Sequence, residues 1–70
     1  MYPLSMVPQG ETVTIAKITG RDDVRQHLAE LGFVIGTEVT VVSVLSGNVI
    51  VQVRDSRIGL DVSMASRIMV

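Results

Sequence analysis

Hydrophobic and polar residues alternate along most of this chain with the period of two that is typical of half-buried β-strands. The alternation is clearest in residues 37–45 and 49–54, two runs rich in Val and Ile that flank Ser46-Gly47-Asn48. Gly and Asn tolerate the positive φ of a tight turn, so these runs predict an antiparallel hairpin. The same period predicts three further short strands, at residues 11–19, 58–62 and 68–70.

The first of these further strands changes phase part-way along. Val13 and Ile15 share one face of an extended chain, whereas Ile18 falls on the other, which predicts a bulge or bend near Ala16-Lys17. A polar segment precedes the last strand, and there Ser63 is expected to cap a single helical turn.

The segment before Gly32 has a different period, in which Val24, Leu28 and Leu31 recur at helical spacing on one face. The pair Asp22-Asp23 is expected to open this helix, as acceptors for its free N–H groups and as negative charges at the positive end of its dipole. Gly32 stands where a left-handed residue commonly ends a helix. The sequence therefore predicts one helix, followed within a few residues by a strand.

Five short strands and one helix in 70 residues are most economically closed into a small β-barrel, which hides the strand edges. The helix lies between the first and second strands. The 47% hydrophobic content is carried mainly by Val, Ile and Leu and suffices for one dense core. Leu4 and Val7 are expected to anchor the N-terminal lead-in onto that core, which gives a single domain over residues 1–70.

Composition narrows the function classes. A net charge of −1 with scattered Lys and Arg argues against nucleic-acid binding, and the lack of aromatic residues beyond Tyr2 and Phe33 argues against base stacking. No apolar run approaches the roughly 18 residues of a spanning helix, and no basic leader precedes an apolar stretch. We therefore expect a cytoplasmic protein without direct membrane insertion, and the absence of cysteine fits that compartment.

The sequence contains no recognisable catalytic or cofactor signature, so neither an enzyme nor a bound cofactor is expected. The single chemical candidate lies on the helix, where Asp23, His27 and Glu30 follow at i, i+4 and i+7. Side chains at these spacings lie along one side of a helix and could hold a transition metal ion. The alternative is a solvated charged face, and it is the interpretation we favour.

A candidate contact surface lies on the predicted hairpin. Strict alternation from an inward Val39 places Val42, Val44 and Ile50 on the outside as an apolar strip. Arg54 and Arg57 bracket the next turn and could pair with acidic groups on a partner. The N-terminal segment or the helix could instead cover the strip, and an uncovered strip would also favour a homo-oligomer.

The joint between the helix and the following strand resembles the pattern of a known family. Residues 28–39 read Leu-Ala-Glu-Leu-Gly-Phe-Val-Ile-Gly-Thr-Glu-Val, similar to the L-x-E-L-G-[FL]-x-x-G-x-x-V run of the FeoA family, the ferrous iron transport protein A. The A-x-x-I-x-V ending at residues 65–70 is also similar. Two positions depart from the family pattern: Ile35 stands where Pro is frequent, and Asp61 stands where a basic residue is common.

This resemblance implies a mainly β fold, a small SH3-like β-barrel of about five strands with one α-helix. It also implies a cytosolic accessory role in Fe(II) uptake, through contact with the GTPase domain of a FeoB-type permease. A runner-up is the SH3-like module of iron-dependent repressors, and a small metal-binding regulator comes third. Because the chain has one His and no Cys, protein binding is favoured over iron carriage.

Overall fold

The structure, a computed structural model, describes all residues from Met1 to Val70. Six strands, two α-helices and one 3-10 turn follow one another along the chain. In order they are the 3-10 turn Leu4–Met6, β1 Thr12–Thr14, β2 Lys17–Ile18, α1 Asp22–Glu30, β3 Glu38–Leu45, β4 Asn48–Val53, β5 Ser56–Asp61, α2 Val62–Ala65 and β6 Ile68–Met69.

The strands form two antiparallel sheets, one of four strands in the order β1-β3-β4-β5 and one that pairs β2 with β6. The predicted first strand is divided between them, because the chain changes partner between neighbouring residues. The Ile15 N–H donates to the carbonyl oxygen of Thr37 at 2.9 Å, and the Ala16 N–H donates to that of Met69 at 2.8 Å. The predicted bend near Ala16-Lys17 is therefore confirmed, and it separates two sheets.

A single hydrophobic core joins both sheets to α1, α2 and the N-terminal turn. It has 13 buried residues, all of them apolar: Leu4, Val7, Ile15, Leu28, Phe33, Val39, Val41, Val49, Val51, Val53, Leu60, Ala65 and Ile68. Leu4 and Val7 belong to this set, so the predicted anchoring of the lead-in is confirmed. The mainly β architecture, with α1 between the first and second predicted strands, is confirmed as well.

Helix α1 ends at a C-cap of the Schellman type, in which a glycine with positive φ lets two late N–H groups turn back onto the helix. Gly32 has φ +105°. Its N–H donates to the Ala29 carbonyl oxygen at 3.0 Å, and the Phe33 N–H donates to the Leu28 carbonyl oxygen at 3.0 Å. The cap is followed at once by the buried Phe33, and the predicted role of Gly32 is confirmed.

Replacing Gly32 by alanine is expected to lower the free energy of unfolding by about 1–2 kcal/mol, because an L side chain is strained at this positive φ. Space is not the cause, since a Cβ on Gly32 would meet Val53 Cγ2 at an ordinary 3.6 Å. Urea denaturation followed by circular dichroism measures the loss. Gly32→Asn is the matched variant and should lose less, because Asn tolerates positive φ better than Ala. Equal stability of Gly32→Ala and the parent would show that an L residue is not strained at this position.

The C-terminal helical turn is capped by a residue other than the predicted one. Strand β5 ends at Asp61, whose Oδ1 accepts the backbone N–H of Met64 at 2.8 Å. Asp61 is thus the N-cap of α2, and the expectation that Ser63 fills this role is wrong. Val62, predicted to continue the strand, is the first residue of α2 and is 48% exposed.

Candidate functional site

A β-bulge at Val42 changes the phase of strand β3. Val41 pairs with Val51 and Ser43 pairs with Ile50, so Val42 is an extra residue with no partner of its own in β4. Val44 consequently lies opposite the buried Val49, on the side of the core, although it is 54% exposed near the end of the sheet.

Because of the bulge, Val42, Val44 and Ile50 do not form the predicted apolar strip on one face of the sheet. Ile50 lies on the opposite side of the sheet from Val44, because it pairs with Ser43 and alternates with the buried Val49 and Val51. The expectation that the three share one outer face is therefore wrong. The reason is the extra residue, which a strict period of two does not anticipate.

The side of the large sheet that faces away from the core is here called the outer face. In strands β3 to β5 it carries Thr40, Ser43, Leu45, Asn48, Ile50, Gln52, Arg57, Gly59 and Asp61. Ile50 lies across Gly59 in the next strand, so closely that a Cβ built on Gly59 would come within 3.2 Å of Ile50 Cδ1. The missing side chain of Gly59 thus makes room for the half-buried isoleucine, which is the apolar centre of the outer face.

Polar groups border Ile50 on the side of the turn between β4 and β5. Arg57 Nε donates to Gln52 Oε1 at 3.1 Å, and Gln52 Nε2 donates to the carbonyl oxygen of Arg54 at 2.8 Å. Arg54 has φ 53°, the one positive φ outside glycine in the chain. Gln52 therefore holds the Arg57 side chain beside the outer face and also fixes the turn that carries Arg54. Ile50 and Arg57 thus lie on the same face of the sheet, and Arg54 lies in the turn that borders it.

The helix residues Asp23, His27 and Glu30 do not form a cluster that could hold a metal ion, and no group of three or more such side chains does so elsewhere in the chain. Asp23 is turned back to its own helix end, where Oδ1 accepts the N–H of Val24 at 3.0 Å and Oδ2 lies 3.3 Å from Arg21 Nη2. His27 and Glu30 are exposed. Helical spacing placed the three on one side, but the local bonds of Asp23 direct its carboxylate elsewhere.

Several exposed apolar residues lie outside the predicted strip, and two of them stand out in and just before strand β3. Leu45 is 59% exposed on the outer face, where the bulge has moved it, and Ile35 is 68% exposed in the loop between α1 and β3. The sequence does distinguish Ile35, because this position holds proline in the frequent form of the FeoA pattern. No enclosed pocket is found on the surface. None of the helices has the length and apolar character needed to cross a membrane.

Comparison with protein families shows which family this chain belongs to. The model of the FeoA domain family matches residues 2–70. This chain belongs to the FeoA family. A protein of Methanocaldococcus jannaschii that bears the name Fe(2+) transport protein A is 34% identical over 70 residues, which is 100% of this chain and 85% of that protein.

Solved structures agree with the FeoA assignment. FeoA of Stenotrophomonas maltophilia in complex with zinc, described as a prokaryotic SH3 domain protein, has a TM-score of 0.84 and 31% identity, covering 99% of this chain and 88% of that one. A manganese-dependent transcriptional repressor has a TM-score of 0.87 at 20% identity, covering 94% of this chain and 38% of that one, which shows the fold alone. The predicted SH3-like fold is therefore confirmed.

Proposed function

We propose that this FeoA-family chain is a cytosolic accessory protein of Fe(II) uptake that acts by contact with the cytosolic GTPase domain of a FeoB-type permease. The observation that carries the proposal is the match of the FeoA domain family over residues 2–70, together with 34% identity to the M. jannaschii protein. On this proposal the chain works by docking and catalyses no reaction. The alternative is a repressor-type module, since a manganese-dependent transcriptional repressor shares the fold.

The outer face is the part of the surface we propose for docking. It presents an apolar centre at Ile50 with guanidinium groups at Arg54 and Arg57, and both arginines are exposed. Aliphatic and arginine side chains in this arrangement suit a partner surface that has an apolar pocket with acidic groups beside it. Val42 lies in the bulge at the margin of this face, and Val44 lies on the core side of the same strand. On this proposal, both would touch a partner only at the edge of the docking surface.

The rigidity of this surface supports the docking role. Ile50 is confined between Ser43 and Gly59 on neighbouring strands, and Arg57 is restrained by its bond to Gln52. Side chains that are already ordered lose less conformational entropy when a partner binds. The restraint comes from the sheet itself, so it is present before contact.

Replacing Ile50 by glutamate is expected to weaken binding to the isolated cytosolic domain of the permease by about tenfold or more, because the change puts a charge at the apolar centre. Biolayer interferometry with immobilised permease domain measures the dissociation constant. Ile35→Glu is the matched control, since it makes the same chemical change at a more exposed isoleucine outside the outer face. We expect its affinity to equal that of the parent chain.

Three results would contradict this docking surface or the function itself. Unchanged affinity of Ile50→Glu, with its fold intact by circular dichroism, would exclude the outer face. Loss of affinity in Ile35→Glu alone would move the docking site to the loop before β3. Absence of binding by the parent chain, tested with the permease domain in its GDP and GTP states, would exclude contact with that domain.

A further inference from the structure

Strand β5 is an edge of the large sheet, because it pairs with β4 alone. Antiparallel strands direct the backbone groups of alternate residues to opposite sides. The N–H of Val41 donates to the carbonyl oxygen of Glu11, in the segment that leads into β1. The backbone N–H and C=O of the neighbouring Thr40 therefore point the other way, towards Gln52 of β4. This determines, for each residue of β4 and β5, to which side its backbone N–H and C=O groups point.

The same alternation leaves a row of free backbone groups on β5. Since Gln52 bonds to β3, its neighbours Val51 and Val53 bond to Ile58 and Ser56 of β5. The N–H and C=O groups of Arg57 and Gly59 therefore point away from the sheet, and no backbone or side-chain hydrogen bond engages them. Such a row is a template for another strand.

The side chains along this edge are self-complementary. Arg57 and Asp61 carry opposite charges and lie two positions either side of Gly59, which has no side chain. Charges commonly protect a strand edge by repelling a second copy, but this arrangement attracts one. An antiparallel copy centred on Gly59 would place Arg57 opposite Asp61 of the partner subunit, and Asp61 opposite Arg57 of the partner subunit.

We propose that two copies of this chain associate through antiparallel pairing of their β5 edges, with Gly59 on the two-fold axis. Gly59 would exchange both backbone hydrogen bonds with its symmetry mate, and the two four-stranded sheets would become one. Registers shifted by one residue would turn the free backbone groups away from each other, and a shift by two would lose both charge pairs. The proposal concerns self-association and does not depend on contact with a permease.

The two charged side chains are available for this pairing. Arg57 uses Nε for Gln52, which leaves both terminal nitrogens of its guanidinium group free. Asp61 uses Oδ1 for the cap of α2, which leaves Oδ2 free. Both residues are exposed. Each is thus already held by one bond and can offer a second atom to the partner.

Exchange of charges between two variants tests the pairing. Sedimentation velocity of the parent chain, up to about 1 mM, is expected to show reversible dimers. Arg57→Asp and Asp61→Arg each place two like-charged pairs across the axis, so each variant alone should dimerise about tenfold or more weakly. An equimolar mixture of the two restores both opposite-charge pairs, and we expect it to regain the affinity of the parent.

A second pair of variants tests the backbone hydrogen bonds between the two β5 edges, and it leaves the α2 cap at Asp61 unchanged. Gly59→Pro removes the outward N–H without removing a bond inside the sheet, and should abolish dimers. Gly59→Ala is its matched control, because both substitutions add a Cβ that Ile50 must accommodate. It should retain dimers. A parent chain that is monomeric at about 1 mM, a mixture that fails to recover, or dimers in folded Gly59→Pro would each overturn the proposal.

Discussion

Replacing Phe33 by alanine is expected to remove about a third or more of the free energy of unfolding. Phe33 is the one buried aromatic residue, with a relative exposure of 0%. Truncation of a buried phenylalanine costs about 3–5 kcal/mol, through lost burial and the cavity left behind. A domain of 70 residues has only ~4–10 kcal/mol in total, at about 0.05–0.15 kcal/mol per residue. Urea denaturation followed by circular dichroism measures the change.

The other aromatic residue provides the control for Phe33. Tyr2 is 41% exposed, so Tyr2→Ala should lower the free energy of unfolding by about 1.5 kcal/mol or less, clearly less than Phe33→Ala. Phe33→Ala keeps the backbone N–H that bonds to Leu28, so the cap of α1 remains and the loss reports packing. A loss as small as that of Tyr2→Ala would show that the core does not depend on the ring.

The elements that could be predicted from the sequence are those determined by residues close to one another in the chain. The end of α1 is one: Gly32 follows the last apolar residue of the helix, and the two bonds of its cap span five residues at most. The hairpin is another, because Gly47 provides the positive φ that its turn needs. In both, the residue type at one position decides the local backbone.

The bulge at Val42 could not be predicted because its cause lies outside the strand. Val41 accepts the N–H of Gly10 at 2.7 Å and donates to Glu11 at 3.0 Å, so the lead-in segment holds the chain where the phase changes. Nothing in the run of valines distinguishes the extra residue from its neighbours. Strict alternation therefore placed Val44 and Ile50 on one face, whereas the extra residue puts Val44 on the side of the core.

The cap of α2 also depended on pairing between distant residues. Both Asp61 and Ser63 are residues that cap helices well. The choice is made by β5, which remains paired up to Asp61 opposite Asn48 and so fixes where the helix can begin. The departure from the family pattern at Asp61 has a physical role here, since its carboxylate accepts the Met64 N–H.

Replacing Leu4 by alanine is the second substitution expected to have a large effect, a loss of about 2–5 kcal/mol in the free energy of unfolding. Leu4 has a relative exposure of 0% although it lies in a three-residue 3-10 turn near the N-terminus. The turn packs against α2, and Ser5 Oγ lies 3.2 Å from Ser66 Oγ. Leu4 therefore closes one end of the core, and its truncation should loosen α2 as well as the lead-in.

The same turn contains the control for Leu4. Met6 is 68% exposed, so Met6→Ala removes a side chain of similar size at nearly no cost, about 0.5 kcal/mol or less. Native-state hydrogen exchange should show faster exchange in Leu4→Ala at the N–H of Ser66, which donates to Val62 across α2. Similar small losses in both variants would mean that the lead-in lies on a core that is complete without it. A large loss confined to Leu4→Ala would show that the lead-in is part of the fold.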